Sequence, residues 1–505
     1  MPRGVGDNCG GKKVVENKKK RIDMNNNQNK PTSYRWVICS LLFFATTINY
    51  LDRQVLSLTW EDFIRPEFHW TNAHYGLVTG IFSLVYAIGM LFAGRIVDKL
   101  DTKKGYMWSI FIWSIGACVH ALCGVATEWA VGLPDAEALR NAIGNVDLVA
   151  RIANISLTLF ILARCVLAIG EAGNFPAAIK ATAEYFPKKD RAYATSIFNA
   201  GTTIGALLAP FTIPTLASKF GWEMAFIIIG GLGFIWMGFW QFLYKKPDQN
   251  PAVNAAELAY INSDSEEERA AAARDAAEKA AAPKVSLWKC FTYRQTWAFI
   301  SGKAIADGVW WFYLFWMPSY LKNACGMSST SFEFQLALGV LYLIVMVSVL
   351  GGYLPTIFVE KYKMHPYAGR MRAMLIFAFF PLLALFAQPL SQYSYWWPIV
   401  FIGIAAAAHQ SWSANIFSTV GDMFPKSMIA TITGIGGMAG GVGSFGIQMG
   451  AGRLFDYAEQ SQMTFMGYSG IEAGYMIAFS FCAVAYLISW MAMKAFVPRY
   501  KPITL

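Results

Sequence analysis

A chain of 505 residues that is 55% hydrophobic, 15% aromatic and only 15% charged falls well below the roughly 25% charge of soluble proteins, which excludes a single water-soluble core. The formal net charge of +10 comes from basic residues set between apolar runs, so it reports membrane topology rather than nucleic-acid binding. The eight cysteines mostly lie in apolar runs without metal-ligand spacing and read as small buried hydrophobes.

Crossing a bilayer takes about 20 apolar residues. Residues 1–35 are polar and basic, without the apolar segment of a signal peptide, and form an expected cytoplasmic tail in which Met24 is a candidate start. The first span is expected over 36–58 and is interrupted by Asp52 and Arg53. Charge-free runs at 68–94 and 105–127 give the second and third spans, with Asp98, Lys99, Lys103 and Lys104 between them. Thr127 to Arg151 reads as a long external loop. The fourth span, 152–178, carries Arg164 and Glu171, and the runs 192–218 and 224–244 supply the fifth and sixth.

The segment 244–295 is the one long polar break. Its middle, Ala255 to Ala282, is rich in Ala, Glu, Lys and Arg and predicts an amphipathic surface helix within a linker. Beyond it come a span near 296–321 that contains Lys303 and Asp307, the run 334–359, the run 373–421 that is long enough for two spans, and the runs 427–452 and 473–493. Twelve spans result. The chain thus divides into a tail (1–35), a six-helix bundle (36–243), a linker (244–295), a second six-helix bundle (296–495) and a short tail (496–505).

Of the 42 basic residues, only Arg65, Arg140, Arg151, Lys219, Lys322 and Arg453 fall outside when the first helix starts inside, and Arg53, Arg164, Lys180 and Lys303 lie in or at the ends of helices. That asymmetry places both termini in the cytoplasm. The halves also repeat. Glu184-Tyr185-Phe186-Pro187-Lys188 returns as Asp422-Met423-Phe424-Pro425-Lys426, and the same offset carries Gly205 to Gly443 and Glu171 to His409. A duplicated six-helix unit is the plan of transporters whose substrate binds at midplane between rocking halves. Glycines crowd the eleventh span from Gly434 to Gly452, where small residues let helices pack closely.

Charges inside membrane spans usually face an interior and partner one another. Arg164 keeps its charge at any relevant pH and offers planar paired donors to a carboxylate, either a substrate's or that of a neighbouring acid. Glu171 lies two helical turns along the same face, about 10.5 Å away. Either Glu171 or Asp52 can take up a proton, with Arg53 pairing the acid that stays ionised. A static set of ion pairs is the competing reading.

The run Ile48-Asn49-Tyr50-Leu51-Asp52-Arg53, the pattern Gly94-Arg95-Ile96-Val97-Asp98-Lys99 with Lys103-Lys104, and Arg164 followed by Gly170-Glu171-Ala172-Gly173-Asn174-Phe175-Pro176 resemble the anion:cation symporter branch of the major facilitator superfamily. Trp310-Trp311-Phe312-Tyr313-Leu314-Phe315-Trp316 and His409-Gln410 resemble its bacterial hexuronate transporters. The resemblance covers roughly 34–498. It implies an all-α membrane protein of twelve transmembrane helices in two pseudo-symmetric bundles, acting as a monomer in a bacterial inner membrane. It implies proton-coupled import of a sugar-acid anion, such as glucuronate or galacturonate, by alternating access. It also implies Arg164 as the substrate-carboxylate receptor, Asp52 and Glu171 as the proton-coupling pair with Arg53 as switchable partner, and Asp98, Lys99, Lys103 and Lys104 as a gating loop. Asp101 replaces that loop's second glycine.

Sugar hydroxyls are expected to meet Tyr50, Tyr86, Asn199, Gln410, Ser411 and Asn415, since buried polar groups need partners; each could equally bond a neighbouring helix. Trp311 and Trp412 either stack on a sugar face or pack. Lys303 either neutralises Asp307 one turn on or meets the substrate's carboxylate. His409 reads as a hydrogen-bonded structural histidine. Two titrating acids predict two protons per monoanion and a net movement of +1 charge. With the four central charges in the first half, coupling is expected there and sugar selectivity in the second half. No nucleophile–base cluster, phosphate loop or metal spacing points to an enzyme or a cofactor. Import of an aldonate or small carboxylate is the alternative, with proton-driven efflux behind it because efflux gives Arg164 no task.

Overall fold

The computed structural model describes residues 31–264, 286–425 and 428–503. The candidate start at Met24, nearly all of the expected tail, Lys426 of the repeat and most of the expected linker helix lie outside the described residues; of that helix only Ala255–Ile261 is described.

Twelve helical spans follow in order: α1 (Tyr34–Thr59), α2 (Asn72–Leu100), α3 (Thr102–His120), α4 (Val146–Glu171), α5 (Lys188–Phe220), α6 (Trp222–Leu243), α7 (Arg294–Asn323), α8 (Phe332–Val345), α9 (Pro366–Phe379), α10 (Trp396–Met423), α11 (Ile429–Gln460) and α12 (Ile471–Phe496). Several starts are set by side-chain caps that satisfy first-turn N–H groups: Thr71 and His74 form a reciprocal capping box on α2, Asn145 accepts from Leu148 N at the head of α4, and Ser331 accepts from Phe334 N at the head of α8. Exposed Phe44, Leu162, Ile235, Phe379 and Met491 give the bundle an apolar outer surface suited to lipid.

Among the described residues, six helices pass as membrane spans by length and apolarity alone, or seven if the bent pair Thr102–His120 and Leu122–Val131 is one. The other five have identifiable reasons to fall short. Buried charges interrupt α1 and α7, polar His409, Gln410, Ser411 and Asn415 lower α10, and glycine dilutes α11. The eighth span breaks after Val345 into a 3₁₀ turn, Met346–Gly352, and resumes as Leu354–Glu360.

The stretch 127–151 is more ordered than the expected loop. α3 bends by 47° into Leu122–Val131, and Asp135 caps a short helix, Ala136–Arg140. That helix is held down by Arg140 donating to Glu67 at 2.6 Å, by His69 Nε2 against the Leu139 carbonyl at 2.8 Å and by the fully buried Leu139 side chain. The expected third span, 105–127, already took in most of Leu122–Val131 but not the bend, and the short helix Ala136–Arg140 lies wholly within the expected loop.

The repeat has a structural counterpart. A Cβ on Gly205 of α5 would lie 2.5 Å from the Thr47 carbonyl of α1, and one on Gly443 of α11 would lie 1.9 Å from the Ala304 carbonyl of α7, so equivalent glycines admit equivalent helix crossings. Glu184 accepts from Thr102 Oγ1 at 2.5 Å and from the Tyr244 hydroxyl. Its counterpart Asp422 accepts from Arg370 and, through its carbonyl, from Tyr500. Each acid thus ties the end of one helix to the entry of the third and the exit of the sixth helix of its own half. The glycines of α11 divide in three: Cβ atoms on Gly441 and Gly452 would meet α2 at 2.2 and 2.4 Å, those on Gly436, Gly440 and Gly443 would meet α7 at 2.0, 2.3 and 1.9 Å, and Gly437, Gly446 and Gly450 face open space.

One end of the bundle holds the described termini and the linker: Thr32 bonds Asn254 of the linker and Ile503 N donates to the Met423 carbonyl. At the opposite end the halves are fastened. Asp62 accepts from Lys322 and Ser329, Asn323 donates to Glu61 at 2.9 Å, Arg65 meets Glu459 at 3.2 Å, and the Asp456 carboxylate accepts from the backbone N–H groups of Asn72 and Ala73 at 2.7 and 2.8 Å. Every hydrogen bond that joins described residues of the two halves lies between that end and the Ser83–Ser444 bond. Toward the terminal end the apolar contact of Gly434 with Leu91 is followed by open space around Gly94. Among the described residues, the halves are thus fastened by hydrogen bonds away from the termini and parted, with no such bond between them, beside the termini.

Candidate functional site

The four charges singled out in the sequence meet at one place. α1 supplies Asp52 and Arg53, and α4 supplies Arg164 and Glu171; all four are at most 2% exposed. Arg53 donates to Glu171 Oε2 from Nε at 3.0 Å and from Nη2 at 2.5 Å. Its guanidinium also sits in an aromatic cage, with Cζ 4.8 Å from the Tyr50 ring, 4.8 Å from Tyr86, 4.9 Å from Trp311 and 5.6 Å from Phe82. Desolvated cation–π contacts contribute up to about 2 kcal/mol each, so Arg53 is held by its acid and by rings from both halves.

Arg164 is different. Its Cζ lies 5.1 Å from the Phe82 ring, so one phenyl ring adjoins both guanidinium groups, yet Nε, Nη1 and Nη2 of Arg164 are buried with no hydrogen-bond partner among the described residues. Both carboxylate oxygens of Asp52, Oε1 of Glu171 and both side-chain polar atoms of Asn49 share that condition. Leaving a buried charge uncompensated costs about 3–5 kcal/mol. A planar anion that accepts two parallel N–H bonds offsets that cost at Arg164. Arg164 also lies near the middle of the 40-residue span Val146–Tyr185; the expected fourth span began at 152, whereas α4 begins earlier, at Val146.

The second half contributes less directly. Lys303 donates to Asp307 at 2.8 Å and rests 4.3 Å from the Phe417 ring. Trp412 Nε1 donates to the Gly302 carbonyl at 3.1 Å, Ser411 Oγ to Ala407 and Ser348 carbonyls, and Asn415 Nδ2 to the Ser411 carbonyl; their donors serve helix contacts. Gln410 is half-buried, and Asn199 is exposed, its carbonyl accepting from Thr202. His409 stacks on Trp310 at 5.3 Å and meets the Tyr486 hydroxyl at 2.9 Å, the arrangement of a structural histidine. The expected gating loop is two helix ends joined at Asp101: Asp98, in the last turn of α2, pairs with Lys180 at 3.1 Å, Lys103, in the first turn of α3, donates to the Gln241 carbonyl, and Lys99 and Lys104 are exposed.

Two contributors were not singled out in the sequence. Phe82 is one apolar residue among many in α2, with no signal beyond helical spacing. Gln54, next to Arg53, donates to the Tyr342 hydroxyl of α8 at 2.6 Å and so reaches across to the other half; a polar residue beside two charges in a span was the available clue.

Comparison with known proteins agrees with this architecture. The chain is 26% identical to a hexuronate transporter of Escherichia coli (strain K12) over 426 residues, covering 84% of this chain and 88% of that one. It is 27% identical to a galacturonate transporter of Dickeya chrysanthemi over 336 residues, covering 66% and 86%. Among solved structures, a D-xylose–proton symporter superposes with a TM-score of 0.65 at 16% identity, covering 94% and 100%. A bacterial homologue of the human lysosomal transporter Spinster, inward-facing and occupied, gives 0.62 at 19% identity, covering 93% and 99%. Residues 42–447 match the Major Facilitator Superfamily, and with more than half of its length inside that match the chain belongs to this superfamily of membrane transporters.

Proposed function

We propose that the chain imports a sugar-acid anion, a hexuronate such as glucuronate or galacturonate, together with protons. Arg164 carries the reading: a permanent cation buried at mid-bundle whose three guanidinium nitrogens have no partner among the described residues. It is a receptor for one carboxylate. The relatives named for hexuronate and galacturonate support a sugar acid as the group behind that carboxylate, and the ring-lined cage of Tyr50, Tyr86 and Trp311 suits a sugar face beside it.

Proton coupling follows from charge balance. Ionised, Asp52, Arg53, Arg164 and Glu171 sum to zero, and a bound monoanion brings the cluster to −1. One proton on Asp52 or Glu171 restores neutrality, which matters in a low-dielectric interior. If Glu171 is the one neutralised, Arg53 is released from it and its cage can rearrange as the halves rock. With both termini cytoplasmic, the parted end faces inward and the loop of Asp98, Lys99, Lys103 and Lys104 works as a gate in its released form.

The test is uptake of a panel of uronates and aldonates into proteoliposomes with an imposed pH gradient. Accumulation of a uronate only when the outside is acidic is the expected result; equal uptake with and without the gradient overturns symport. A second proton per monoanion moves net charge worth about 2.3 kcal/mol per 100 mV, so uptake that ignores an imposed potential overturns the two-proton form.

A further inference from the structure

One ion pair in the parted region has no task in the scheme above. Lys303 and Asp307 lie one turn apart on α7, with Nζ 2.7 Å from Oδ2, and their side chains are 4% and 17% exposed. Such a pair is a poor stabiliser, because apolar residues of the same size usually hold a fold as well or better. It is nevertheless closely built. A Cβ on Gly440 of α11 would lie 2.3 Å from Asp307 Oδ2, so only glycine leaves room for the carboxylate. Phe417 of α10 covers the ammonium.

Its place along the helix is informative. Trp311, one turn beyond Asp307, is the second-half wall of the Arg53 cage. At 1.5 Å per residue, Asp307 lies about 6 Å and Lys303 about 12 Å from Trp311 toward the parted end. An anion leaving Arg164 for that end therefore passes the level of the pair. The acid is the less buried member of the pair and the cation the more deeply buried one.

We propose that Lys303 is a second station for the substrate's carboxylate and that Asp307 is the acid that expels it. With Asp307 protonated, Lys303 is free to hold the anion. When Asp307 loses its proton to the side at which the bundle is parted, its carboxylate retakes Lys303 and the substrate leaves as the free anion. The closed pair in this parted structure is the state after release. Few other titratable groups face the pair: His409 from α10 and Tyr486 from α12, which bond each other, while α11 presents Gly440.

This inference rests on the proposed sugar-acid symport, and the experiment separates the two. Binding of D-glucuronate to the purified full chain is measured at pH 5.5 and pH 8 for wild type and Asp307→Asn, alongside wild-type uptake. In Asp307→Asn the competing carboxylate is gone, so binding at pH 8 tightens at least fivefold while binding at pH 5.5 stays within twofold. Pre-loaded exchange persists, and gradient-driven accumulation falls at least fivefold. Unchanged or weaker binding at pH 8 in a folded variant overturns the proposal. Should the lone Lys303 prevent folding, the double variant Lys303→Ala with Asp307→Ala removes both charges together. It is expected to bind glucuronate at least fivefold more weakly at pH 5.5, and wild-type affinity there overturns Lys303 as a station. Wild-type vesicles that accumulate no sugar acid under the gradient defeat the underlying function instead.

Discussion

At the scale of single residues, charge and backbone geometry make separate predictions. Arg164 offers a carboxylate two parallel donors, and Lys at the same place keeps the charge but loses the fork. A charge-assisted hydrogen bond contributes about 1.5–3 kcal/mol, so Arg164→Lys is expected to weaken substrate binding roughly 10- to 100-fold, and Arg164→Ala to abolish uptake. Binding and exchange assays check this, and retained affinity in the alanine variant rules out Arg164 as receptor. Asp101 tests the backbone. It has φ 72° and ψ 153°, a region that favours glycine and costs other residues about 1–3 kcal/mol. Its ion pair with Lys246 at 3.6 Å joins two half-exposed side chains and contributes about 0–1 kcal/mol. Strain outweighs the pair, so Asp101→Gly should stabilise the protein by roughly 1 kcal/mol, read as a rise in unfolding temperature in detergent; a lower temperature contradicts the argument. The four central charges were legible in the sequence because a charge in an apolar run is conspicuous. Phe82, which adjoins both guanidinium groups, was not, because a ring in an apolar helix looks the same whether it packs or cages a cation.

At the scale of elements, charge-free runs account for nine of the twelve expected spans and the other three are read across their charges, but what breaks or joins the spans was missed. Each run needs only about 20 residues to be seen, whereas the break in the eighth span and the bend after α3 depend on neighbours far away in sequence. The linker shows the same limit. Its helix Ala255–Ile261 is docked rather than loose, because Glu257 is buried and accepts from Thr32 Oγ1 at 2.6 Å, from the N–H groups of Tyr34 and Arg35 at 3.0 Å each and from Arg35 Nη1 at 3.0 Å. Those N–H groups open α1, where a helix lacks internal acceptors and favours negative charge. Glu257→Ala should therefore release the helix, at roughly 2–3 kcal/mol. Amide exchange across 255–261 is expected to speed up about 30- to 100-fold, with the interior of α5 unaffected, and unchanged protection would show that apolar contact alone holds the linker.

At the scale of the whole molecule, the balance between two shapes rests on the end away from the termini, where a few polar contacts and a group of rings hold the halves together. Trp60 stacks on Tyr75 at 4.5 Å and donates to Ser319 across the halves, and the Tyr75 hydroxyl donates to the Phe315 carbonyl. Outside these rings, Asp456 of α11 takes the two N–H groups that open α2, so a carboxylate of one half completes, beside Thr71, the cap of a helix of the other. That contact exists only while this end is closed. Charge-assisted bonds of this kind contribute about 1.5–3 kcal/mol, and a differential of that size shifts a two-state equilibrium roughly 10- to 100-fold. Asp456→Ala should therefore raise the population open at this end without touching the charge cluster. Distances between spin labels at Ile143 and Met466, both exposed, report the shift: a longer component should grow in the variant and shrink again in Asp456→Asn, whose amide oxygen can still accept one of the two N–H groups. An unchanged distance distribution in Asp456→Ala would mean that the aromatic seal, not the cap, holds the closed end.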